Sequence, residues 1–95
     1  MTRVAISLTD PLALRAEGHA TGSPEACAAV STLVYTLDGA LDDKGVRHER
    51  SITPGSVLIS CRRCDAAAAV FDVVASGFLL LARDFGAYVS VQIEK

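Results

Sequence analysis

Tryptophan is absent from this 95-residue chain, and the remaining aromatics are three Phe and two Tyr. A core must therefore be built from Leu, Ile, Val and Ala. A core that light in so short a chain buries modest area, which makes a second copy of the chain a source of added stability. An excess of charge of one sign is also missing. Nine Lys+Arg against eleven Asp+Glu leave a net charge of −2, so the basic footprint that general nucleic-acid binding requires is lacking. The uncharged stretches 26–37 and 73–82 fall short of the roughly 20 residues of a membrane span. The apolar alternation at the N-terminus is broken by Asp10, too early for a signal sequence. Cysteine is sparse and odd in number, three in all, which suits a reducing compartment rather than a disulfide scaffold. These absences lead to the expectation of a cytoplasmic protein without membrane or direct nucleic-acid partners.

What is present is a chain 51% hydrophobic and 21% charged, too apolar to remain disordered. It has no linker, low-complexity tract or repeat, so residues 1–95 read as a single domain. Val4, Ile6 and Leu8 alternate as a half-buried strand over 3–8. Thr9-Asp10-Pro11 is turn chemistry, and Leu12, Leu14 and Ala16 begin a second strand that completes a hairpin. Ser23-Pro24-Glu25 is a helix start: a capping hydroxyl, a proline at the first position, and an acid at the positive end of the dipole. That helix runs to about Leu41, with Cys27, Val30, Val34, Leu37 and Leu41 as its apolar stripe, and Gly45 turns the chain. Strands over 46–52 and 57–61 follow, joined by Thr53-Pro54-Gly55-Ser56. A second helix spans 65–85 with Phe71, Phe78 and Phe85 at heptad spacing, and a last strand covers 88–93. The order is ββαββαβ, an α+β domain with a mixed sheet packed against two helices. Val70, Val73, Val74, Leu79, Leu80 and Leu81 spread over more of the second helix than one sheet face needs. The surplus faces either a thick core or a second subunit in a homodimer.

Cys27 falls in the first turn of the first helix, where free N–H groups and the dipole favour a thiolate. His19 precedes it by eight positions, within reach if the intervening loop folds back. A thiol beside an imidazole is the minimum apparatus for nucleophilic attack on an acyl carbon, and the amides of the helix start offer an oxyanion hole. On spacing alone, a Cys in an Ala/Val helical stripe is more often a packing residue than a catalytic one.

Gly18-His19-Ala20, then Gly22, then Cys27-Ala28-Ala29-Val30-Ser31 resembles the paired GHA and CAAVS motifs of the ribosomal-processing cysteine protease (Prp) family. Gly77-Phe78, Ala82, Phe85 and Tyr88-Val89 look like that family's closing helix and strand. The resemblance implies a cytoplasmic, homodimeric thiol protease, a hydrolase of ribosome biogenesis, that removes an N-terminal extension from a large-subunit ribosomal protein. By position, Cys27 is then the nucleophile and His19 the general base and acid. Gly18, Ala20, Gly22 and Ser31 line the substrate site. No metal and no cofactor is implied. Two departures stand out: the segment from His19 to Cys27 is shorter than the family's, and Pro24 occupies a position where the family has Asp. They motivate an alternative, a dimeric protein-interaction module that keeps the fold without turnover.

Cys61-Arg62-Arg63-Cys64 lies at a strand-to-helix junction. It reads as an ordinary junction, as a redox pair, or as half of a zinc site completed by Cys27 or a His. His48, in the polar alternation of the third strand, reads as a surface residue.

Overall fold

The computed structural model describes residues 1–18 and 22–95. Its elements are β1 (Thr2–Ser7), β2 (Leu12–Glu17), α1 (Pro24–Asp43), β3 (Glu49–Thr53), β4 (Ser56–Cys61), α2 (Asp65–Asp84) and β5 (Val89–Glu94). This is the ββαββαβ order read from the sequence. The strands form a five-stranded mixed sheet in the order β3-β4-β2-β1-β5. β1 and β5 are parallel and the other pairings antiparallel.

The alternation of side chains fixes which face is covered. Ile93, Ile6, Leu14 and Ile59 stand in register across four strands, and both helices contribute to the core cluster on that side. On the opposite face the register brings Gln92, Ala5 and Arg15 together, all exposed.

α1 begins as its sequence dictates. Ser23 caps it, accepting from the Ala26 amide at 3.1 Å, with Pro24 in the first turn. Its end is a Schellman turn: Val46 N–H donates to the Leu41 carbonyl, Gly45 N–H to that of Asp42, and Gly45 takes φ +68°. Ala26, Val34, Leu37 and Leu41 are its buried residues. The expected stripe is therefore corrected at one position: in the first turn the buried side falls on Ala26, and Cys27 is exposed.

α2 has the length and hydropathy of a membrane span, a property the count of uncharged residues did not register. In the fold it is the helix that fills the core, burying Val70, Phe71, Val74, Phe78 and Leu81. It crosses α1 closely at Gly77, where a Cβ would lie 2.7 Å from a Leu33 methyl. Val73, Leu79 and Leu80 remain exposed, Val73 at 72%.

Candidate active site

The end of β2, the start of α1 and the β3–β4 turn meet around a cleft of about 340 Å³. Sheet order is the reason. β4 lies antiparallel beside β2 with Glu17 opposite Ser56, so the turn between β3 and β4 projects next to Gly18. The Gly18 N–H donates to the Gly55 carbonyl at 2.8 Å. Gly18 takes φ +90°, and a Cβ there would run into the Met1 carbonyl oxygen, so the position suits glycine alone.

α1 lines the cleft with Cys27, Val30, Ser31, Val34 and Tyr35. Facing them are Ile52, Pro54 and Val57, and the first hairpin adds Thr2, Ala16 and Gly18. Cys27 is exposed, with Ser31 one helical turn beyond it on the same side. Three of the six residues singled out from the sequence, Gly18, Cys27 and Ser31, thus share one cleft. Gly22 does not line it; its φ is +91°, and a Cβ there would stand 3.5 Å from the Tyr88 ring. His19 and Ala20 lie outside the described residues.

The helix start is less open than its sequence suggests. Pro24 has no N–H, the Ala26 amide is held by the Ser23 hydroxyl, and the Cys27 amide donates to the Ser23 carbonyl at 3.1 Å. The Ala26 and Cys27 amides are thus both engaged by Ser23, one by its hydroxyl and one by its carbonyl. What the helix start retains is the field of its dipole.

Sequence reasoning missed the second wall. Thr53-Pro54-Gly55-Ser56 was legible as a turn, but its neighbour across the cleft follows from the pairing of β2 with β4, which no local pattern encodes. Tyr35, half exposed and two turns from Cys27, carried the detectable signal: it shares the spacing of Cys27 and Ser31 along α1.

His48 is a further correction. Its side chain is 4% exposed, because the turn after α1 consumes Gly45 and Val46, and β3 begins only at Glu49. The ring lies under the end of α1. Nδ1 is 2.9 Å from the Val46 carbonyl oxygen and Nε2 is 2.7 Å from the Asp38 carboxylate. Burial alone lowers the imidazole's pKa, but the hydrogen bonds to Val46 and Asp38 and the Asp38 and Asp42 charges outweigh it, and the net shift is upward from 6.5. Asp38, Asp42 and His48 are also the one trio among the described residues whose donor atoms lie within 4.8 Å of each other. The 2.7 Å contact is a charge-assisted hydrogen bond, and the other Asp38 oxygen is taken by Arg50 Nε at 3.1 Å.

Cys61 is buried and Cys64 exposed, on either side of the β4–α2 junction. Burial pushes the Cys61 thiol up, and the charges of Cys64 and Asp10 add to it, the opposite of what a reactive thiol needs. Asp10 instead secures the junction, accepting from the Arg63 amide at 2.9 Å. Among the described residues no metal-ligand trio includes a cysteine.

Comparison with solved structures gives the same architecture from end to end. The ribosomal processing protease Prp from S. aureus, in complex with a covalently linked product peptide, superposes with a TM-score of 0.82 at 16% identity, over 99% of this chain and 100% of that one. This chain has the Prp fold. The same protease with a substrate peptide gives a TM-score of 0.80 at 15% identity, again over 99% and 100% of the two chains. SMU.848 from Streptococcus mutans gives 0.77 at 24% identity, over 99% of this chain and 94% of that chain. No family model matches the sequence, and no curated protein does.

Proposed function

We propose that the chain is a Prp-type cysteine endopeptidase that trims an N-terminal extension from a large-subunit ribosomal protein or a related maturation substrate. The observation that carries this reading is an exposed thiol, Cys27, opening onto a cleft in a fold shared with a protease that has been solved with peptides bound. His19 follows the cleft residue Gly18 directly in the chain, which supports it as the partner of Cys27.

The chemistry runs in two halves. Cys27 thiolate attacks the scissile carbonyl carbon, and the negative charge passes to the carbonyl oxygen near the positive end of α1. Collapse of the tetrahedral intermediate breaks the C–N bond, leaves a thioester on Cys27, and sends the amine off with a proton from His19. His19 then takes one proton from water, whose oxygen attacks the thioester; the new C-terminus leaves as an acid that gives its proton to solvent, and the thiolate returns. The polypeptide substrate lies between α1 and the β3–β4 turn, with apolar side chains against Val30, Val34 and Ile52.

A second reading, a binding module without turnover, is favoured by Pro24 and by the engagement of the Ala26 and Cys27 amides in the cap. Iodoacetamide at about pH 6 separates the two, since only an activated thiolate reacts quickly there. The peptidase reading expects Cys27 to be alkylated well before Cys64, the other exposed thiol. Equal, slow labelling of the two favours the binding module. In either reading the exposed apolar side of α2 serves as a homodimer surface, and the protein works in the cytoplasm.

A further inference from the structure

We propose that Asp38, His48 and Arg50 form a charged clasp between α1 and β3 that positions the β3 wall of the cleft. The part of this that concerns substrate rests on the peptidase reading above; the clasp itself does not. β3 is an edge strand, paired on one side only. Arg50 and Ile52 stand on the same face of it, so the strand that gives Ile52 to the cleft gives Arg50 to the clasp. On α1, Val30 and Val34 line the cleft and Asp38 follows one turn later along the same side. The clasp therefore closes the groove between α1 and β3 immediately beyond the point where the cleft opens. Among the described residues, every salt bridge between different elements belongs to this cluster.

Hydrogen-bond accounting makes a proton its keystone. The Val46 carbonyl and the Asp38 carboxylate can only accept, and they face Nδ1 and Nε2 at 2.9 and 2.7 Å. A neutral imidazole has one N–H and would oppose a lone pair to one of these oxygens; the imidazolium satisfies both. The surrounding charges agree. Asp38 and Asp42 reach the ring from α1, Asp42 at 3.9 Å, and Arg50 balances Asp38 from β3 at 3.1 Å. Arg47 and Glu49 flank the ring in sequence and are exposed. Loss of the proton sets a ring lone pair against either the Val46 carbonyl or the Asp38 carboxylate, breaking one of the two bonds and loosening the segment leading into β3.

The test is a pH titration of the whole chain by NMR, following the His48 ring nitrogens, the Ile52 methyl groups and the Tyr35 ring together. The clasp predicts a His48 midpoint above 6.5, with the cleft signals moving at the same midpoint. An Asp38→Asn variant should lower that midpoint and uncouple the cleft signals from it. In cleavage assays KM should rise by up to about tenfold as pH passes that midpoint, with kcat nearly unchanged. Cleft signals that stay flat while His48 titrates would overturn the proposal, as would a midpoint at or below 6.5 or stoichiometric capture of the His48 ring by added Zn²⁺. Coupled titration in a protein that neither binds nor cuts extension peptides would sustain the clasp and refute the peptidase reading.

Discussion

Cys27 and His48 show how differently two residues can be read from a sequence. Cys27 was legible because Ser23-Pro24-Glu25 marks a helix start by physical rule, which puts a residue shortly after it near the dipole's positive end. Its exposure was not legible, since Ala26 and Cys27 fit an apolar stripe equally well. His48 was misread because polar alternation cannot show where a strand begins: the Schellman turn at Gly45 delays β3 and folds the imidazole under α1. Its raised pKa has a consequence for stability. The group gains protons on folding, so its stabilising contribution is complete below about 6.5 and is lost as pH rises through the higher folded-state value. Urea midpoints should therefore fall with pH above 6.5 in the wild type more than in His48→Gln. Gly18→Ala combines a left-handed backbone with a collision against Met1. It should lose at least about 1 kcal/mol of stability in urea titrations and disturb the hydrogen bond to Gly55 that holds the cleft's second wall.

Elements were the most legible layer. Both helices and the five strands follow from capping residues, turn chemistry and the two hydrophobic periods, with edges shifted by one residue at Tyr88 and by three at the start of β3, where Val46 belongs to a turn. Ser23 shows what a cap does for a site as well as for a helix. Ser23→Ala removes the bond to the Ala26 amide, and thermal melts should show a loss of about 1 kcal/mol. The α1–α2 crossing depends on Gly77, which no periodicity marks as a contact. A branched side chain there must displace Leu33, so Gly77→Val should cost about 1–3 kcal/mol by chemical denaturation. It should also widen the separation between the helices and loosen the middle of α1, which carries Tyr35.

At the scale of the whole molecule, the α+β class was readable from the alternation of elements, but the strand order was not. Placing β4 between β3 and β2 is a long-range choice that depends on which rows of Ile, Leu and Val bury best together. That choice brings the 53–56 turn to Cys27. Low aromatic content leaves a modest core, and α2 leaves Val73, Leu79 and Leu80 in solvent. If these residues form the dimer surface, Leu80→Lys should convert a sedimenting dimer to a monomer without unfolding it. The central claim, however, concerns the sulfur in the cleft. It is tested most directly by incubating the protein and its Cys27→Ala variant with a peptide spanning a ribosomal-protein N-terminal extension, and following the products by mass spectrometry. The account predicts one cleavage by the wild type, with a transient thioester on Cys27, and none by the variant. Equal cleavage by the two proteins, or none by either across candidate extensions, would contradict it.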